Sequence, residues 1–266
     1  MKYVIGIDVG GTFTDAVAAD DAGNVIGAKT PSTPADYSIG VLAAISELAT
    51  QLELDERTLL ENTEYIAHGT TASINALVTG NVEPVGFLTS KGHGDSIEIM
   101  NIEGRYLGLT AQEIQDSINL HKPAPLVPRR RVKEVTERID RRGNVVVALD
   151  EEEVRVAVSH LLAEGVQAIA VSFLWSFQNP AHEQRVAEII AEMSPETFVA
   201  VSSFVSPRIR EFSRSSTTIM SAQLGPALRR YLRPLVRELG ERGMQGPLLI
   251  MQSSGDRKST RLNSSH

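Results

Sequence analysis

Asp8 ends a β-branched apolar run, Lys2-Tyr-Val-Ile-Gly-Ile-Asp8, and is followed by Val9-Gly10-Gly11-Thr12-Phe13-Thr14-Asp15. A carboxylate leaving a strand end can hold Mg²⁺ directly or through water. Two successive glycines let backbone N–H groups come close to phosphate oxygens, because no Cβ stands in the way. Thr12 and Thr14 can add hydroxyl donors, and Asp15 can support the turn from the returning strand. Asp8 is therefore the candidate catalytic and metal-organising carboxylate, with Gly10, Gly11, Thr12, Thr14 and Asp15 as the candidate phosphate cradle. The same residues would also suit an ordinary glycine hairpin with Asp8 and Asp15 in turn positions. A Walker-type loop or a dinucleotide turn does not fit, since both lead from a strand directly into a helix and here a second strand follows.

A second run, His68-Gly69-Thr70-Thr71-Ala-Ser-Ile-Asn75-Ala-Leu77, closes a short apolar stretch and opens a helical pattern. The free N–H groups and positive dipole of a helix start attract an anion. Asn75 lies one turn beyond Thr71 and shares its face. His68, Thr70, Thr71 and Asn75 are thus further candidate catalytic residues. On spacing alone, a plain threonine cap beside a packed histidine is the favoured reading. Elsewhere, Arg129-Arg-Arg131 and Lys133 are followed at once by Glu134, Glu137 and Asp140 without interleaved aromatics, which suits a solvated hairpin face better than nucleic-acid contact. His93, His121, His160 and His182 lack the mutual spacing of a metal site on one element. Arg208, Arg210 and Arg214, near Ser215–Thr218, could contact an anion but read better as a charged helix face, and Trp175 as a packing residue.

Strands and helices alternate around these residues. Lys2–Val9, Phe13–Ala19 and Asn24–Lys29 read as three consecutive strands. Ile39, Leu42, Ile45, Leu48, Ala49 and Leu52 recur at helical spacing, so a helix covers Asp36–Leu52. A strand at Tyr65–His68, a helix at Thr71–Val78 and a strand at Val82–Thr89 follow. Beyond an irregular, glycine- and proline-rich middle with a short helix near Ala111–Asn119, Val132–Ile139 and Val145–Leu149 flank Arg141-Arg-Gly-Asn144 as a hairpin. Asp150 with Glu153 opens a helix through Ala163 in the manner of a capping box. Val166–Phe173 is a buried strand, and Asn179-Pro180 opens the next helix. Phe198–Ser202 is a strand, Ser206-Pro207 a helix start, Ser216–Arg242 a long helix and Pro247–Gln252 a final strand. Such alternation implies an α/β fold with a mixed or parallel sheet covered on both faces.

The chain has 266 residues, 42% of them hydrophobic, which is ample for a core. Having no cysteine, it excludes disulfide frameworks and thiolate zinc sites, and suits a reducing cytoplasm. With 26 basic against 33 acidic residues and a formal charge of −7, neither nucleic acid nor an anionic membrane is an expected partner. No run approaches a membrane span, and no signal peptide is evident. The last eleven residues, Asp256-Arg-Lys-Ser-Thr-Arg-Leu-Asn-Ser-Ser-His266, carry no apolar periodicity and resemble the translation of a widely used sequencing-library adapter. They are expected to be non-native, with the natural protein continuing past Gly255.

Asp-x-Gly-Gly-Thr at the end of an N-terminal strand resembles the first phosphate motif of the actin, Hsp70 and sugar-kinase ATPases. Their sheet is ribonuclease-H-like and flanked by helices. That motif, followed by His68-Gly-Thr-Thr-x-x-x-Asn75-Ala-Leu77, resembles the hydantoinase A/oxoprolinase family. The family holds ATP-dependent 5-oxoprolinases, N-methylhydantoinases and the acetone and acetophenone carboxylase subunits. Glu137-Arg-Ile-Asp140, Leu149–Val154, Asn179-Pro-Ala-His-Glu183, Val205–Glu211, Ser215–Thr218 and Met251-Gln-Ser-Ser-Gly255 look like its landmarks, in its order. Lys91-Gly-His-Gly-Asp95 departs from the family's glycine-aromatic-basic-aspartate run, which bears on substrate specificity.

The resemblance implies a ribonuclease-H-like fold, incomplete at its C-terminus. Residues 1–200 would form the family's N-terminal region, 201–255 the start of a truncated core domain, and 256–266 the foreign tail. It implies ATP and Mg²⁺ as cofactors, with phosphorylation of an amide oxygen before water opens a cyclic amide. His68, Thr70, Thr71 and Asn75 would face the substrate or the transferring phosphoryl group. The expected partners are a cyclic amide or carbonyl substrate and a hydantoinase B-like subunit or fused domain, in an oligomer at full length. A ketone carboxylase subunit is the alternative within the family, and a nucleotide-gated, actin-like scaffold the alternative outside it.

Overall fold

The computed structural model describes residues 1–80, 82–101, 104, 106–116, 118, 120–121, 123–251 and 257–259. In chain order the first elements are β1 (Tyr3–Val9), β2 (Phe13–Asp20), β3 (Val25–Pro31), α1 (Tyr37–Gln51), α2 (Glu56–Glu61), β4 (Thr63–Thr70) and α3 (Ala72–Val78). There follow β5 (Val85–Ser90), α4 (Ser96–Ile99), α5 (Ala111–Gln115), β6 (Val132–Val135), β7 (Arg138–Ile139), β8 (Val145–Val147), α6 (Glu151–Ala163) and β9 (Ala168–Ser172). The chain continues through α7 (Ala181–Met193), β10 (Phe198–Val201), α8 (Ser202–Val205), α9 (Glu211–Glu241), β11 (Leu248–Met251) and β12 (Arg257–Ser259). Two structural units divide it: Met1–Val82 with the residues from Ala227 onward, and Glu83–Pro226.

The first unit is built on a sheet of order β12-β11-β4-β1-β2-β3. β1, β2 and β3 form an antiparallel meander, while β4 runs parallel to β1 and β11 parallel to β4. This is the ribonuclease-H-like arrangement expected from the sequence. Arg257–Ser259, within the segment read as foreign, adds an antiparallel edge strand. Alternation is strict in β1: Tyr3, Ile5, Ile7 and Val9 are buried, while Asp8 is exposed on the opposite face. The buried face is covered by Val41, Leu42, Ile45 and Leu48 of α1 and by Leu232, Leu235 and Leu239 of α9. Helix α1 begins as its sequence implies, with the Asp36 carboxylate accepting the Ser38 N–H at 3.0 Å.

The second unit holds a parallel sheet of order β10-β9-β5-β6. Both faces are buried, as a parallel sheet requires. On one, Leu88, Ile169 and Val171 meet Val154, Val158 and Leu161 of α6 and Val186 and Ile190 of α7. On the other, Phe87, Ala168 and Ala170 meet Ile97, Val127, Ile219 and Ala222.

Several elements differ from the sequence reading. The expected strand Val132–Ile139 is two pieces: β6 joins the parallel sheet, and only β7 pairs with β8. The break falls where the Thr136 N–H is captured by the Glu153 carboxylate at 2.6 Å and Glu137 turns inward to His182 at 2.9 Å. Glu153 is thereby diverted from a reciprocal capping box, although the Asp150 side chain still accepts the Glu153 N–H at 3.0 Å. Ser206-Pro207 does not open a helix; the long helix starts earlier than expected, at Glu211, just after Arg210 with φ 87°. Pro180 takes the cap position of α7 instead of its first turn, with Asn179 Oδ1 accepting the Ala181 N–H. The short helix α2 had no periodic signal. The helix expected near Ala111–Asn119 is described only to Gln115, and Asn119 lies outside the described residues.

Candidate functional site

The hairpin between β1 and β2 is closed by the Gly10 N–H donating to the Phe13 carbonyl at 3.0 Å. A Cβ on Gly10 would lie 3.0 Å from that same oxygen, so close approach, rather than positive φ, disfavours a side chain here. The turn is braced from β3: Ser32 Oγ donates to the Gly10 carbonyl at 2.8 Å and lies 3.0 Å from Thr14 Oγ1, and the Ser32 N–H donates to the Thr12 carbonyl at 2.9 Å. Gly11 and Thr12 are left exposed.

Asp8 sits on the open face. Its register partners are Gly69 in β4 and Asp15 in β2. A Cβ on Gly69 would lie 3.1 Å from Asp8 Oδ1, so the missing side chain makes room for the carboxylate. Two carboxylates facing each other across an antiparallel pair repel. Asp15 is matched by Lys29 at 2.8 Å, whose ammonium also lies 5.0 Å from the centre of the Phe13 ring. Asp8 has no such partner among the described residues, which leaves a carboxylate able to accept a cation. Among the described residues no cluster of three or more His, Cys, Asp or Glu side chains could hold a metal by itself. An ion at Asp8 would take its remaining ligands from water and from phosphate oxygens, the usual habit of Mg²⁺.

The start of α3 is tied to this hairpin. The Thr71 N–H donates to the Val9 carbonyl at 3.2 Å and its hydroxyl reaches the same oxygen at 3.3 Å. Thr71 holds the N-cap position without capping the helix through its side chain. Asn75 is exposed, and its Nδ2 is 3.6 Å from where a Cβ on Gly11 would stand. Asp8, Gly10, Gly11, Thr71 and Asn75 therefore converge on one edge of the sheet, with Asp15 beside Asp8. Thr70 is half-buried at the end of β4.

His68 and Thr14 belong to the covered face. Both are fully buried, in register with Ile7 and with Val9 respectively. His68 Nε2 shares a hydrogen bond of 2.9 Å with the Tyr231 hydroxyl, while its Nδ1 has no partner. Burial pushes its pKa down to about 4, so the ring is neutral near pH 7. Burial also raises the Tyr231 hydroxyl above the usual phenol range. Sequence reasoning missed Ser32 and Tyr231. Ser32 is visible only through the β2–β3 register, and Tyr231 stands far along the chain on a helix with no local sign of a site.

The sheet order and its glycine hairpin place the chain among the ribonuclease-H-like α/β proteins. Within that class it belongs to the hydantoinase/oxoprolinase family, whose N-terminal region matches residues 4–194. It is 39% identical over 260 residues to the acetophenone carboxylase gamma subunit of Aromatoleum aromaticum, covering 94% of this chain and 35% of that one. The ATP-dependent caprolactamase from Pseudomonas jessenii matches in structure with a TM-score of 0.80 and 33% identity, over 99% of this chain and 38% of that one. A nucleotide-free acetone carboxylase, an ATP-dependent enzyme, matches with a TM-score of 0.87 and 27% identity, over 98% and 37%. The chain thus spans little more than a third of the length of these relatives. No helix among the described residues is long and apolar enough to cross a membrane.

Proposed function

We propose that this chain is the phosphate-binding N-terminal part of an ATP-dependent enzyme that opens a cyclic amide, 5-oxoproline or a hydantoin-like ring, in the cytoplasm. The observation that carries the reading is Asp8: an exposed carboxylate without a partner among the described residues, seated over Gly69 beside a glycine turn whose first glycine has little room for a side chain. An amide is a poor electrophile, and transfer of the ATP γ-phosphoryl group to its oxygen, assisted by Mg²⁺, makes the carbon open to attack by water. Asp8 would hold the cation. The exposed backbone at Gly11 and Thr12 would donate to phosphate oxygens, with Gly10 closing the turn and Asp15 supporting it. Thr70, Thr71 and Asn75 would face the transferring group, and His68 and Thr14 would brace the site from the covered face. A hydantoinase B-like partner subunit or fused domain would complete the enzyme in an oligomer; the relative named as a gamma subunit supports that view.

The 39% identity to that subunit also supports a second reading, a ketone carboxylase component. ADP release by the full-length parent with its partner separates the two. Stimulation by 5-oxoproline or hydantoin favours the hydrolase, while stimulation only by a ketone with bicarbonate favours the carboxylase. In either case Asp8→Asn should lower turnover by about 10²–10³-fold, the scale of losing one stabiliser of transition-state charge. An unchanged rate would refute the site. The 266-residue chain alone should not turn over ATP, and substrate-stimulated ADP release from it would overturn that expectation.

A further inference from the structure

In an open parallel sheet, ligands settle outside the carboxyl ends of strands at the point where the chain changes direction across the sheet. The second unit has such a point. From β5 the chain moves to β6 on one side, then returns to β9 on the other, giving the order β10-β9-β5-β6. Beyond these strand ends lies an open cavity of about 510 Å³ lined by Arg138, Ile139, Asp140, Arg141, Arg142 and Trp175.

Its walls are held from behind. Ser90, the last residue of β5, is fully buried; its hydroxyl donates to Glu137, next to Arg138, and accepts the Leu174 N–H, next to Trp175, at 3.0 Å. One hydroxyl thus ties the arginine wall to the tryptophan wall. Trp175 adopts φ 57°, a left-handed conformation unusual for a bulky residue, and lies 5.4 Å from the Phe177 ring, itself 5.2 Å from the buried Arg214 guanidinium. Arg138 is oriented by the Lys91 carbonyl, to which it donates at 3.1 Å.

The charge is unbalanced. Asp140 spends its carboxylate on its own turn, accepting the Arg142 and Asn144 N–H groups at 2.8 and 2.9 Å and the Asn144 side-chain amide at 3.0 Å. The guanidinium groups of Arg141 and Arg142 are exposed and in no salt bridge among the described residues, and the Asp140 charge acts on Arg142 only through space. Guanidinium forks match carboxylate and phosphate oxygens, and an indole offers a flat apolar face. We infer that this cavity is a second ligand site, taking a small carboxylate or phosphate ester that carries a flat apolar body. Arg141 and Arg142 grip the oxyanion, and Trp175 stacks on the body.

Trp175 is the only tryptophan of the chain, so its fluorescence reports on this cavity alone. The purified chain is titrated with phenyl phosphate, benzoate, inorganic phosphate and benzyl alcohol. The expected result is a saturable change with phenyl phosphate or benzoate at about millimolar concentration or below. Whichever of the two binds more tightly identifies the head group. Arg141→Gln with Arg142→Gln should weaken it at least tenfold without shifting the thermal midpoint, since neither side chain supports the fold. No saturable change, an equal response to benzyl alcohol, or undiminished binding by the double variant overturns the site. Inorganic phosphate binding as tightly as phenyl phosphate overturns the stacking role of Trp175.

Discussion

His68 shows how much one side chain can be asked to tolerate on the covered face of a sheet. Its ring is fully buried, bonded to Tyr231 through Nε2 and to nothing through Nδ1. An unpaired buried nitrogen costs about 1–3 kcal/mol. Protonation would add a charge where burial has removed the water that would solvate it, which is why the pKa falls from 6.5 to about 4. Between those values the unfolded chain binds a proton that the folded chain refuses. Stability is therefore complete above pH 6.5 and declines as the pH falls toward 4, by about 3 kcal/mol from this group. Urea unfolding at pH 7 and pH 4.5 should show that loss, and His68→Asn should remove most of the slope while lowering stability at pH 7; an equal slope in the variant would exclude His68 as its source. The residue types of the candidate site were legible, and Asp8, the two glycines and Thr71 lie close together at the carboxyl ends of β1 and β4. Their facing was only half legible. Strand alternation sends His68 and Thr14 to the opposite side from Asp8, and that depends on the β1–β4 and β1–β2 registers, which spacing along the chain does not reveal.

Elements here are set by their ends as much as by their faces. Helix α1 stops in a paired-bond turn, with the Glu53 N–H donating to the Thr50 carbonyl at 3.1 Å and the Leu54 N–H to the Ala49 carbonyl at 2.9 Å. That turn places Glu53 at φ 55°, where glycine is the usual occupant. Glu53 is exposed, and its side chain is in no ion pair among the described residues. Glu53→Gly should stabilise the chain by about 0.5–1 kcal/mol, the left-handed strain relieved less the added freedom of the unfolded chain. Calorimetry should register a rise of about 1–3 °C in melting temperature; a fall would mean that the turn reshapes when its side chain is removed. Such ends also explain which elements could be read beforehand. Helices α1 and α6 announce themselves by apolar period and an aspartate cap, and β1 by alternation. The division between β6 and β7 does not, because it is made by Glu153 and Glu137 reaching Thr136 and His182 across the fold. Nor does α2, whose six residues are too few to show a period.

At the scale of the whole chain, the two units differ in how they are threaded. Glu83–Pro226 is contiguous, of ordinary domain length, and supplies the apolar cover for both faces of its own parallel sheet. The other unit is discontinuous. Met1–Val82 provides β1 to β4 and α1, but Leu232, Leu235, Leu239 and Leu248, all buried in the same core, arrive only after the chain has completed the second unit. Removing four large buried side chains strips well over 5 kcal/mol of apolar burial, as much as a whole domain's net stability. Residues 83–226 expressed alone should therefore unfold in one cooperative thermal transition, followed through Trp175, whereas residues 1–82 alone should show none by circular dichroism. A cooperative transition in 1–82 would mean that the meander and α1 suffice for a core. A featureless melt of 83–226 would mean that the parallel sheet depends on residues outside its own segment. The predicted asymmetry follows from threading: the glycine hairpin near the N-terminus is made early, yet it gains a stable platform only when α9 and β11 have been added.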